Sequence, residues 1–117
     1  KLGIVAQALD LRDDPQLIAE YRDWHARVWP EVIDALRGIG IAQMRIFLAG
    51  NRLFMYAEAP DDFDPAAAYQ RYASTPRARE WDRMMRRYQA PIPGAPEDAW
   101  WTPMEMVFDL ADAPRHR

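Results

Sequence analysis

Three observations predict an α+β fold of the ferredoxin-like kind, an antiparallel sheet with its helices on one face. Runs with the period-two alternation of strands lie near both ends of the chain. Near the middle, Ala49-Gly50-Asn51 joins two more strand-like runs, a short glycine-containing connector of the hairpin type. Between the strands, Asp14-Pro15, Asp64-Pro65 and Thr75-Pro76 each offer a capping side chain followed by a proline, the signature of a helix start. The resulting order, β-α-β-β-α-α-β, is two β-α-β halves around a central hairpin. A chain of 117 residues, 50% hydrophobic and 28% charged, fits one soluble domain over 1–117 with one core.

The first strand is Gly3 to Leu11 (GIVAQALDL), bounded by the Arg-Asp-Asp-Pro turn signal. Asp14 then caps free N–H groups, and Pro15 at the first helical position gives up no hydrogen bond. The apolar set Leu17, Ile18, Tyr21, Trp24, His25, Val28, Ile33 and Leu36 carries the helix to Gly38 or Gly40, where glycine suits a left-handed cap. Pro30 lies inside it, removes one backbone bond and clashes with the carbonyl four residues back. A kink or restart is therefore expected near Arg27 to Pro30. Ile41 to Leu48 and Arg52 to Ala59 form the hairpin. A short helix follows over Ala66 to Ala73 and a longer one over roughly Arg77 to Tyr88. The longer helix bears Trp81, Met84, Met85 and Tyr88 as a sheet-covering stripe, with Arg83, Arg86 and Arg87 on a solvated face. The stiff Pro91-Ile-Pro-Gly-Ala-Pro stretch is long for a connector and reads as functional or interfacial. Met104 to Leu110 (MEMVFDL) alternates as a last strand, and Ala111 to Arg117 reads as a frayed tail.

Composition excludes several functions. Fifteen basic against 18 acidic residues give a net charge of −3 with no long basic run, so no nucleic-acid partner is expected. The chain has no cysteine, which rules out disulfides, Cys-ligated zinc and thiol nucleophiles. With no apolar span of about 18 residues and no signal-like run, no membrane partner is expected and the cytoplasm is the expected location. No P-loop, GxGxxG, GxSxG or zinc-type motif occurs, so no cofactor and no metal are expected. The helices cover one sheet face only, and the apolar strands leave the other for a second subunit, which predicts a homodimer.

His25 is the leading candidate for chemistry, because an imidazole both donates and accepts protons near neutral pH. Tyr21 lies one helical turn before it, on the same face. From the residues alone, a packed and inert histidine is slightly the stronger reading. His116, in the tail, is not a candidate. Tyr21 can steady a substrate hydroxyl and Trp81 can stack on the apolar C–H face of a sugar, although both also fit core stripes. Glu58 shares a strand face with Arg52, Phe54 and Tyr56 and is most simply an edge charge.

Taken together in order, these residues resemble the L-rhamnose mutarotase family, small dimeric ferredoxin-like proteins that interconvert sugar anomers. The resemblance is carried by Glu20-Tyr21-x-x-x-His25-x-x-x-Trp29-Pro30-Glu31. It continues through Arg52-Leu53-Phe54 leading to Glu58, then Glu80-Trp81 with Met85, and finally Val107-Phe108. It implies an isomerase whose small-molecule partner is a monosaccharide, working as a dimeric α+β barrel. It implies His25 as proton donor and Tyr21 and Trp81 as sugar contacts. Two positions depart from the family pattern: Asp82, where a second aromatic is expected, and Met44, where a substrate-binding tyrosine is expected. L-Rhamnose is the first substrate implied and L-fucose, another 6-deoxy sugar, the alternative. Dimeric ferredoxin-like barrels also include cofactor-free monooxygenases and haem-binding proteins. A non-catalytic binding module is the remaining alternative.

Overall fold

A computed structural model describes residues 2–112. The first strand, β1 (Leu2–Leu11), leads into helices α1 (Pro15–His25) and α2 (Pro30–Gly38). The hairpin is β2 (Gln43–Ala49) and β3 (Arg52–Pro60), followed by helices α3 (Pro65–Ala73) and α4 (Pro76–Met85). Two short strands, β4 (Gln89–Ala90) and β5 (Thr102–Pro103), come next, and a 3-10 turn spans Leu110–Asp112. All strand pairs are antiparallel, in the order β2-β3-β1-β4, with β5 also pairing β1. This is the expected ferredoxin-like arrangement. The sheet of one chain is open and does not close into a barrel.

The helix starts follow from their caps. Asp14 Oδ1 accepts from the N–H groups of Gln16 (2.9 Å) and Leu17 (3.2 Å), and Asp64 Oδ1 from those of Ala66 (3.1 Å) and Ala67 (3.4 Å). Thr75 stands at the corresponding place before α4 but makes no side-chain cap bond. Of the kink or restart expected near Arg27 to Pro30, the structure has a restart, so the long apolar stretch is two helices. Trp29 is extended (ψ 137°), as a residue before proline prefers, and Pro30 becomes the first residue of α2 rather than an interior defect. Gly40 supplies the left-handed φ of +102° after α2, and Gly50 that of the hairpin turn at +61°.

The largest difference from expectation is at the C-terminus. Met104 to Leu110 alternates like a strand yet forms no strand among the described residues; only Met104 bonds to β1, its N–H donating to the Ala6 carbonyl at 2.8 Å, and the edge of β1 away from β3 is met by the two-residue strands β4 and β5. Alternation reports which residues share a face and is silent on whether a neighbouring edge is free. His116 and most of the expected tail lie outside the described residues.

The pleat sorts the sheet into two faces. Leu9, Leu53, Met55 and Ala57 point under the helices and are buried, and Tyr21, Val32, Tyr72, Trp81 and Met85 close the core from above. On the other face lie Ile4, Phe47, Phe54, Tyr56 and Glu58, in register across β1, β3 and β2. Phe47 and Phe54 stack there with ring centroids 6.1 Å apart while remaining exposed.

Candidate functional site

Between the helices and the inner sheet face opens a cavity of about 780 Å³. His25, the last residue of α1, lies on its wall. The break after α1 explains the position: the chain leaves the helix at Ala26 and restarts at Pro30, so the imidazole stands at a helix end. Its Nδ1 lies 2.9 Å from the Tyr21 carbonyl oxygen. A carbonyl only accepts, so Nδ1 carries the proton of that bond and Nε2 is the nitrogen left to exchange one. Burial pushes the His25 pKa below its ordinary 6.5, with the Tyr21 carbonyl acting in the opposite direction.

Tyr21 and His25 stack, with centroids 4.1 Å apart. The phenol is buried and its pKa is pushed up to about 12 by desolvation, against a hydrogen bond with the Gln89 side chain, so it is a neutral donor at any physiological pH. Trp81, on α4, meets His25 edge to face at 5.5 Å. Trp24 (6.1 Å) and Trp29 (5.3 Å) also pack against Trp81, which leaves it 5% exposed. The Arg77 guanidinium covers the Trp29 ring at 3.6 Å and lies 2.9 Å from Glu80. The structure thus brings together all three residues singled out by sequence, His25, Tyr21 and Trp81, on one cavity wall. Trp81 is packed on several sides, as its place in a core stripe foretells.

Glu58 belongs to the other face. It accepts from the Tyr56 hydroxyl at 2.7 Å, on the side of the sheet away from His25. Of the two departures from the family pattern, both line the cavity: Met44 from β2 and Asp82 from α4. Sequence reading missed a further group there. Tyr69 and Tyr72 on α3, Gln89 on β4 and Trp100 before β5 also line the cavity, with Gln89 reaching Tyr21. The Trp100 indole donates to Gln89 Oε1 and its ring meets Tyr69 at 6.0 Å. The proline-rich connector is what returns Trp100 to the cavity, which gives that stretch its role in shaping the site. Its one sequence signal is the Trp-Trp pair that follows it. Among the described residues, no group of three or more His, Asp or Glu side chains is arranged to hold a metal ion. Nor is any helix among them long and apolar enough to cross a membrane.

The family model for L-rhamnose mutarotase matches residues 4–110. A UPF0734 protein of Dictyostelium discoideum is 52% identical over 90% of this chain and 87% of its own length. An L-fucose mutarotase of Xanthomonas campestris is 42% identical over 90% of this chain and 86% of its own. An L-rhamnose mutarotase of Lactiplantibacillus plantarum is 35% identical over 78% and 84%. A solved L-rhamnose mutarotase of Formosa agariphila superposes with a TM-score of 0.66 over 92% of this chain and 98% of its own, at 21% identity, and so shares the fold.

Proposed function

We propose a substrate and a proton path for this chain, which belongs to the L-rhamnose mutarotase family and is a sugar mutarotase, an isomerase of reducing sugars. The substrate is a 6-deoxy-hexose, with L-fucose placed before L-rhamnose. Support for that order is the 42% identity to a relative named for L-fucose against 35% to one named for L-rhamnose. Anomers of a pyranose exchange when the ring oxygen gains a proton, the C1–O5 pair withdraws onto that oxygen, and the O1 proton leaves to water as C1=O1 forms. Rotation about C1–C2 and closure from the other face complete the cycle.

His25 is the proton donor to the ring oxygen, acting through Nε2, and Tyr21 and Trp81 hold the sugar. The observation that carries this role is the Nδ1 bond to the Tyr21 carbonyl, which fixes the ring and reserves Nε2 for proton transfer. A low pKa makes the imidazolium a stronger acid, and one such group is worth roughly 10²–10⁴-fold in rate. The working form proposed is a cytoplasmic homodimer. Its support is the exposed apolar surface: Phe47 (53%) and Ile4 (49%) on the outer sheet face, and Val107 (88%) and Phe108 (67%) beyond β5. Sedimentation should then give twice the chain mass.

The activity is tested by magnetisation-exchange NMR between the anomers of L-fucose, L-rhamnose and a set of unrelated aldoses. Faster exchange for the 6-deoxy sugars at catalytic protein concentration is expected. Exchange at the solvent rate for every sugar would remove the reading for this chain.

A further inference from the structure

The cavity has polar lining that the proton path does not use. Asp82 follows Trp81 on α4, so its side chain leaves the helix in a different direction from the indole and points toward α3 rather than α1. It is 8% exposed and lines the same cavity as His25. One carboxyl oxygen, Oδ1, accepts from the Tyr72 hydroxyl at 3.2 Å. The other, Oδ2, is closed off from water and has no hydrogen-bond partner among the described residues. The Tyr69 hydroxyl favours the ionised carboxyl without reaching bonding geometry. A buried carboxylate oxygen left without a donor is unfavourable, and no described residue bonds to this one. Tyr72 fixes the carboxyl from one side, and α3 and α4 pack against each other, so the free lone pairs are held in place.

We propose that Asp82 is the specificity residue of this mutarotase, its Oδ2 accepting a hydrogen bond from a ring hydroxyl of the sugar remote from the anomeric carbon. This rests on the mutarotase reading and names the part of the site that reads the substrate. An ionised carboxylate is acceptor-only, so it favours sugars that place a donor hydroxyl there and leaves the charge unpartnered with sugars that do not. L-Fucose and L-rhamnose differ in hydroxyl configuration at C2 and C4 and share the 6-methyl group, so one well-placed acceptor can separate them. For the sugar to reach Oδ2, which is closed off as it stands, the Tyr69 side chain, 42% exposed, must turn outward.

The groups acting on Asp82 are Tyr69 and Tyr72 from α3 and Arg86 just after its own helix, and His25 of α1 lines the same cavity. Burial is the leading influence and lifts the Asp82 pKa to about 6. The acceptor form is therefore present above that pH, and affinity is expected to fall as pH drops through it.

The test measures KM and kcat for L-fucose and L-rhamnose by anomer exchange in wild type and Asp82→Asn, with sugar binding followed separately by saturation-transfer NMR. Loss of the charge should raise KM for the preferred sugar by about 10- to 100-fold, compress the preference between the two sugars, and change kcat much less. The rise of KM below about pH 6 should disappear in the variant. Tyr72→Phe, which leaves the carboxylate but frees it to move, should raise KM less than Asp82→Asn does. A folded Asp82→Asn with unchanged KM, unchanged preference and the wild-type pH profile would overturn the proposal. Wild type that binds L-fucose in an Asp82-dependent way yet accelerates no exchange would overturn the mutarotase reading and leave Asp82 its ligand. Wild type that turns over the sugar with binding indifferent to position 82 would do the reverse.

Discussion

Two parts of the cavity wall, one around His25 and one around Asp82, are built from opposite materials. In the first part, an imidazole sits among packed rings: Tyr21 against it at 4.1 Å, Trp81 at 5.5 Å, and Trp24 and Trp29 behind. In the second, a carboxyl is held by one phenol and keeps one oxygen free. Both groups are drawn away from water, and burial moves their pKa values in opposite directions, His25 down from 6.5 and Asp82 up to about 6. In each case the neutral form gains. The difference underlies the proposed division of labour: proton transfer among packed apolar rings, and recognition where a polar acceptor is unsatisfied.

The largest expected effect belongs to the first part. His25→Ala should lower kcat by roughly 10²–10⁴-fold while circular dichroism shows an intact fold, since the ring is only partly buried. The sign of the pH dependence sharpens the role. A donor must be imidazolium, so wild-type kcat should fall as pH rises through a pKa below 6.5. A kcat that climbs over that range would make His25 the base instead.

Next comes Trp81. Removing its ring from among Trp24, Trp29 and His25 should cost about 3–5 kcal/mol in Trp81→Ala, measured by urea unfolding. Trp81→Phe should keep most of that stability and raise KM several-fold. If KM is unmoved, Trp81 is a core residue and the sugar rests elsewhere.

In the second part the sign reverses. The Asp82 pKa is raised from 3.8 to about 6 on folding, so the native state holds the proton more tightly than the unfolded chain. Stability is thus undiminished below about pH 4, declines between there and pH 6, and is lowest above it. A rise of that size corresponds to roughly 2–3 kcal/mol as an upper bound. Asp82→Asn should accordingly stabilise the protein at pH 7.5, with the gain gone at pH 4. A destabilised variant at pH 7.5 would mean that the carboxylate is a structural partner rather than a group kept for a ligand. The smallest effect is expected at Tyr88, whose hydroxyl accepts from Trp24 (3.2 Å) and donates to Glu20 (3.1 Å), tying α1 to the segment after α4. Tyr88→Phe should cost about 1 kcal/mol and leave KM alone.

The same two parts differ in how far the sequence reveals them. Tyr21, His25 and Trp29-Pro30 are close in sequence, and helical spacing alone puts the first two on one face. The expected break near Pro30 is where the chain restarts. Asp14 and Asp64 announce their helices by the caps that they make. The part around Asp82 is assembled from Tyr69, Tyr72, Asp82 and Trp100, no two of which share a recognisable motif, and Gln89 links it to Tyr21. Their meeting depends on how α3 lies across α4 and on the turn that brings Trp100 back to Gln89. Asp82 is visible in the sequence as a departure, while its partner Tyr72 is not. The last strand differs as well: the alternation of Met104 to Leu110 is real, but pairing with β1 stops at Thr102–Pro103 and one further bond from Met104 N–H to the Ala6 carbonyl.

The division of labour is tested most directly by kcat and KM for L-fucose anomer exchange, measured side by side for wild type, His25→Ala and Asp82→Asn. A loss in kcat at His25 and a rise in KM at Asp82, each leaving the other parameter nearly unchanged, is the predicted result. Two variants that lower the same parameter together, or a His25→Ala protein with full kcat, would contradict it.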